Sequence, residues 1–222
     1  QWLVQSHREL TQAVSHELRT PLARMRFNIE MLASNKDQTR HLEALENNVE
    51  ELNALVDEML GYAELSEGNL KTHLKCISLH HWLISYVGQY EYNANQPTIK
   101  LMETKLEQKL EVDPRLLARA MDNLIGNALR FASSEIVIQS AIDDQMFCIT
   151  VSDDGPGIAE EDRDKVMAAF TQLDSSSKST DNGFGLGLAI IQRIMELHNG
   201  SIHISESYLG GAAMTLKFPL HR

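Results

Sequence analysis

Apolar residues recur at helical spacing through roughly the first 65 positions and at alternate positions through much of the remainder. From Trp2 to about Ala33, Leu10, Val14, Leu18, Leu22 and Met25 follow one another at steps of four and three, which puts them on one stripe of an amphipathic helix. A second helical seam, from about Thr39 to Leu65, runs through Leu42, Leu45, Val49, Leu52, Leu55, Val56, Met59 and Ala63. Only Ser34-Asn35-Lys36-Asp37 joins the two, so they fold as an antiparallel hairpin. Two helices cannot enclose a core, and the stripe therefore calls for a second copy of the chain: a homodimeric four-helix bundle. Folding the hairpin back onto the following segment is the other way to cover the stripe, and the length of the stripe argues against it.

Ser66-Glu67-Gly68-Asn69 is polar and carries a glycine, and the pattern changes to period two soon after it. We place a domain boundary there, with a helical hairpin over 1–66 and a second domain over 67–222. The second domain reads as a strand near 72–77, a helix near 80–90 and a strand near 98–103. A helix follows, capped by Asp113 with Pro114 at its first position and running to about Phe131. Strands near 135–141 and 146–152 flank a turn at Asp143-Asp144-Gln145. A helix near 159–169, a polar loop, a helix near 185–198 and strands near 201–206 and 212–218 complete the chain. This order predicts an α+β fold, a sandwich with the helices segregated to one face of a sheet.

With 222 residues, 43% of them hydrophobic, the chain can build both domains. Its net charge of −11 and lack of a clustered basic face speak against a nucleic-acid or anionic-membrane surface. Cys76 and Cys148 stand far apart in strand-like runs without CxxC spacing, as buried reduced thiols of a cytosolic protein would. No apolar run reaches the roughly 18 residues of a membrane span, and no signal peptide opens the chain. Gln1-Trp2-Leu3-Val4 is already in helical register, as though a longer helix continued upstream.

Candidate chemistry begins with Ser15-His16-Glu17-Leu18-Arg19-Thr20-Pro21-Leu22. His16 falls opposite the apolar stripe and should be exposed. Glu17 is placed to polarise one ring N–H and leave the other nitrogen nucleophilic. Pro21 removes a backbone donor and should loosen the helix just beyond His16. A His beside a Glu on a helix is ordinarily solvated surface, so the octamer needs support from elsewhere. In Asn123-Leu124-Ile125-Gly126-Asn127-Ala128-Leu129-Arg130, Asn123, Asn127 and Arg130 share one helix face, offering two amides and a guanidinium to a polar ligand. The neutral carbonyl of an asparagine suits Mg²⁺ that phosphates also hold. Asp153-Asp154-Gly155-Pro156-Gly157-Ile158 is a strand-to-helix turn whose carboxylate can accept from an exocyclic amine, with Gly155 and Gly157 allowing close approach. Gly183-Phe184-Gly185-Leu186-Gly187-Leu188 leads into a helix N-terminus, a place for phosphate. The polar stretch 171–182 before it, with Lys178 its one basic residue, has the composition of a lid.

The His-Glu-x-x-Thr-Pro string resembles the phosphoacceptor box of sensor histidine kinases, and the three later segments resemble that family's N, G1 and G2 boxes in the same order. Their domain fold is shared with gyrase and heat-shock ATPases. The helix start Ser78-Leu79-His80-His81-Trp82-Leu83 and the ending Leu209-Gly210-Gly211-Ala212 are most similar to RstB-like sensors. The resemblance implies ATP and Mg²⁺ as cofactors, His16 as phosphoacceptor, Glu17 as its base and Thr20 as the residue that orients water for dephosphorylation. It further implies Asn127 as the Mg²⁺ ligand, Asn123 and Arg130 as phosphate neighbours, Asp153 as the adenine acceptor, and Gly183, Gly185 and Gly187 as the base of the lid. The implied partner is the receiver domain of a response regulator, and the implied parent protein is anchored in the bacterial inner membrane. One departure stands out: Met167-Ala168-Ala169-Phe170-Thr171-Gln172 keeps only Phe170 of the family's Phe-x-Pro-Phe-x-Arg, with Gln172 in place of the arginine. Either Lys178 supplies the missing charge or transfer is slow. Two rival readings are a dimeric scaffold that binds nucleotide without turnover and an ATP hydrolase. The hydrolase would need a water-activating carboxylate, for which Asp122 alone is a poor candidate.

Overall fold

The computed structural model describes residues 2–32, 37–66, 71–90, 96–102, 109–173 and 183–220, with the side chains of the first helix described from Val14 onward. Helices α1 (Trp2–Leu32) and α2 (Gln38–Ser66) form the expected hairpin. The α-helix continues through Pro21, which is buried. Register is set by side chains: Arg24 Nη2 donates to both carboxylate oxygens of Glu51 at 2.7 and 2.8 Å. Buried Asn28 accepts from His41 Nδ1 at 2.8 Å and donates to the Arg24 carbonyl. One face stays uncovered by the chain itself, since Leu22, Phe27, Ile29, Leu42, Val49, Val56 and Leu60 are 44–59% exposed. Leu42, Val49 and Val56 stand seven residues apart, the spacing of a coiled-coil seam.

Beyond the hairpin come β1 (Lys75–Ser78), α3 (Leu79–Val87), β2 (Thr98–Leu101), β3 (Lys109–Val112), α4 (Pro114–Phe131), β4 (Glu135–Asp143), β5 (Met146–Asp153), α5 (Gly187–Leu197), β6 (Ser201–Glu206) and β7 (Ala212–Pro219). Five strands make one mixed sheet in the order β2-β4-β5-β7-β6, with β2 parallel to β4 and the other pairs antiparallel. Its core face carries Ile136, Ile138, Phe147, Ile149, Val151, Ile204, Met214, Leu216 and Phe218, which join the buried residues of α4 and α5 in one core. Most of the alternate positions are small or polar, and Thr150 and Thr215 hydrogen-bond there at 2.9 Å. Asp153 continues the parity of Ile149 and Val151, so the last residue of β5 comes out on the helix side of the sheet.

Asp113 caps α4 as its sequence requires, accepting from Arg115 N–H at 3.0 Å. It also accepts from His73 N–H, while its own N–H donates to Nε2 of buried His198 at 3.0 Å. Burial opposes its charge, yet the Arg115 guanidinium and these N–H groups hold the carboxyl well below the usual carboxylate range.

Three expectations need correction. The helix near 159–169 is absent: residues Glu160–Asp162 and Lys165–Met167 form two 3₁₀ turns instead. Only Val166 is buried there, so no apolar stripe rewards a full helix. Strand β3 was unforeseen; it pairs antiparallel with β1 in a separate two-stranded sheet, burying Leu110 and Val112 while Lys109 and Glu111 face out. Cys76 is exposed on β1, whereas Cys148 is buried. The hairpin turn at 33–36, the segment 67–70 and the lid segment 174–182, which includes Lys178, lie outside the described residues.

Candidate functional site

His16 sits on α1 with 77% of its side chain exposed, and its Nδ1 lies 3.5 Å from Glu17 Oε1. Thr20, one turn along, is exposed as well. The ring is thus open to an incoming group and has one nitrogen turned to a carboxylate.

The nucleotide boxes meet elsewhere, around a cavity of about 830 Å³ between α4, α5 and the strand ends, within the size range of small-molecule sites. The helix face read from sequence is real: Asn123, Asn127 and Arg130 line the cavity, and Leu116, Leu117, Ala120, Met121, Leu124, Ile125 and Ala128 face the core. Asp153 lines it from below. Its Oδ1 accepts from the N–H groups of Gly155 at 2.8 Å and Ala212 at 3.1 Å, and Oδ2 takes part in neither bond. Burial, followed by the lesser pull of these two N–H groups in the other direction, leaves the Asp153 carboxyl above its ordinary value. Gly155 itself contributes only this N–H, while Gly157, Gly183, Gly185 and Gly187 line the cavity.

The adjacent Asp154 has a different task. It accepts from the N–H groups of Ser133, Ser134 and Glu135 and from Ser134 Oγ, which pins the entry to β4. Those bonds, Ser134 first, hold its carboxyl well below the usual range.

The glycines before α5 make room for α4. A Cβ on Gly187 would stand 2.8 Å from Asn123 Oδ1, and one on Gly183 would collide with the Arg130 guanidinium. Gly185 has φ +71° and abuts the backbone of Phe170 and Thr171. Gln172 lines the cavity, but its Nε2 donates to the Gly183 carbonyl at 2.9 Å, so the amide braces the backbone at Gly183.

Four charged lining residues were missed from sequence or discounted: Asp57 and Glu58 of α2, and Arg119 and Asp122 of α4. Arg119 stands four residues before Asn123 and shares its helix face, a signal that was there to be read. Asp57 and Glu58 look like any solvated helix surface until the hairpin is placed. Asp122 Oδ1 accepts from the Tyr86 hydroxyl and lies 3.4 Å from that of Tyr90, which ties up the one carboxylate the hydrolase reading had available.

Comparison with known proteins agrees with this geometry. Residues 112–222 match the family described as histidine kinase-, DNA gyrase B- and HSP90-like ATPase, and residues 6–68 match the His Kinase A (phospho-acceptor) domain. The sensor protein RstB of Escherichia coli (strain K12) is 34% identical over 218 residues, covering 98% of this chain and 50% of that protein. The sensor histidine kinase CpxA of the same strain is 28% identical over 222 residues, covering 99% and 48%. The chain therefore spans about half the length of these relatives. In fold it is similar to the Acinetobacter baumannii histidine kinase AdeS, with a TM-score of 0.71 at 23% identity over 93% of this chain and 98% of that one. A phospho-acceptor hairpin joined to a nucleotide domain of this type makes the chain a member of the sensor histidine kinase family.

Proposed function

We propose that the chain is a kinase core in which His16 takes the terminal phosphoryl group of ATP and passes it to an aspartate of a response regulator. The observation that carries this is the shared level of acceptor and cavity along the hairpin. Arg24 pairs with Glu51, and about two turns back along α1 lies His16, just as about two turns on along α2 lies Glu58 in the cavity wall. The exposed nucleophile and the nucleotide cavity thus occupy one stretch of the hairpin.

In this reading His16 Nε2 attacks in line, and Glu17 receives the Nδ1 proton as the ring becomes charged. Arg130 and Asn123 bind the phosphates, Asp153 accepts from the adenine amine, and the Gly183 to Gly187 turn seats the lid against α4. Asn127 offers a neutral carbonyl oxygen to the cavity, a ligand that suits Mg²⁺ arriving with a triphosphate, while Arg130 on the same wall would meet phosphate oxygens, and the cation when bound would neutralise charge on the transferring group. Thr20, one turn from His16, orients water for dephosphorylation of the regulator. The hairpin over 1–66 dimerises through its uncovered apolar face and 67–222 is the catalytic domain. Among the described residues no helix is long and apolar enough to cross a membrane. The parent we envisage is a sensor of the bacterial inner membrane. Incubation with labelled ATP and Mg²⁺, followed by addition of a receiver domain, tests the scheme: label should load on the chain, move to the receiver, and do neither in His16→Ala.

A further inference from the structure

The part of the cavity wall that α2 contributes is acidic. Asp57 and Glu58 face the same space as Asn123, Asn127, Arg119 and Arg130. One turn along α2, Gly61 is buried, and the Arg119 guanidinium fills the place of its missing side chain, with Cζ 2.5 Å and Nη1 2.8 Å from where a Cβ would stand. Glycine inside a helix is unfavourable relative to alanine, and here it gives Arg119 a seat on α2. Glu58 precedes Gly61 by three residues and so shares its helix face. It is half-buried; burial raises its carboxyl above the ordinary value, while Arg119 and then Arg130 draw it down, which places the carboxylate in the field of both cations. The same stretch is fastened from the other side, where Arg193 Nε donates to the Leu65 carbonyl at 3.0 Å and Leu65 is buried in the core of the nucleotide domain.

We propose that Glu58 is an internal competitor for the phosphate chain. With the hairpin docked its carboxylate faces the cavity that Arg119 and Arg130 also line, and the phosphates of a bound triphosphate compete with that charge for the two guanidinium groups. Nucleotide binding thereby loosens α2 from the nucleotide domain, and by linkage docking weakens the nucleotide by the same factor. The inference rests on the ATP-binding reading above and adds that the hairpin itself sets the affinity.

Calorimetry with a non-hydrolysable ATP analogue plus Mg²⁺, and separately with adenosine, tests this on the full chain and on Glu58→Gln, which keeps the side-chain shape. The variant should bind the triphosphate about five- to tenfold more tightly and adenosine equally well, because only the phosphates meet the competitor. Hydrogen exchange on the unaltered chain provides a second readout that needs no variant: amides of residues 57–65 should exchange faster once the triphosphate is bound. Triphosphate affinity that is unchanged or weaker in Glu58→Gln, an equal gain for adenosine, or unchanged exchange over 57–65 each overturns the competitor role while leaving ATP binding intact. No binding of the triphosphate to the unaltered chain removes both readings.

Discussion

Asn123 presents its side-chain oxygen 2.8 Å from the point where a Cβ on Gly187 would stand, so the first residue of α5 has no room for a side chain while α4 keeps its amide in place. Gly187→Ala should turn Asn123 away from the cavity. Affinity for Mg-ATP should fall about tenfold, roughly 1.4 kcal/mol, with little change in the thermal midpoint of the nucleotide-free chain. Calorimetry and a melting curve measured together check this, and unchanged affinity would mean that Asn123 does not meet the phosphates.

Much of this site was legible because its parts are local. Asp113 and Pro114 announce α4, its apolar period assigns one face to the core and the other to Asn123, Asn127 and Arg130, and the alternation of β5 carries Asp153 to the helix side. What stayed hidden depends on tertiary placement. Glu58 reads as solvated surface until α2 is laid against the nucleotide domain, and β3 is four residues long, with a pattern that acquires meaning only opposite β1. The 159–169 segment misled because its composition favours helix while its neighbours fully bury only Val166 of it.

The uncovered hairpin face makes a prediction about assembly. Val49 is 48% exposed and stands between Leu42 and Val56 at heptad spacing, so Val49→Glu places a charge in the seam of each subunit without disturbing the core of one. Burying such a side chain contributes about 1.5–3 kcal/mol, and two are lost per dimer, so the dimer should weaken about a hundredfold or more. Light scattering should report a dimer for the unaltered chain and a monomer for the variant. A monomer in both cases would count against the bundle.

Asp154 links stability to acid. Its folded-state carboxyl is held below its ordinary value by Ser133, Ser134 and Glu135, so its stabilisation is fully present above the unfolded carboxylate pKa of about 4 and is lost as the pH falls through the lower folded value. Asp154→Ala should lower the thermal midpoint by a few degrees at pH 7, and the gap from the unaltered chain should narrow below about pH 4. Melting curves over a pH series check this, and a gap that widened in acid would have the wrong sign.

Gln172 braces the Gly183 carbonyl at the position where the family resemblance implies an arginine. A charge-assisted bond there is worth roughly 1.5–3 kcal/mol, so Gln172→Arg should speed autophosphorylation on the order of tenfold. If Lys178 already reaches those oxygens, the gain shrinks and Lys178→Ala becomes damaging. Initial rates unaffected by either substitution, or by both together, would show that the lid makes no charged contact with the transferring group.

The central claim is that His16 is the acceptor, its exposed ring attacking through Nε2 while Glu17 faces Nδ1. The most direct measurement is the chemistry of the bond formed when the chain is incubated with γ-labelled ATP and Mg²⁺, followed by mass spectrometry of the labelled peptide. Label on the His16 peptide that is lost in acid, survives alkali and is absent from His16→Ala is the predicted result. Acid-stable label on serine or threonine, or label undiminished in His16→Ala, would contradict it.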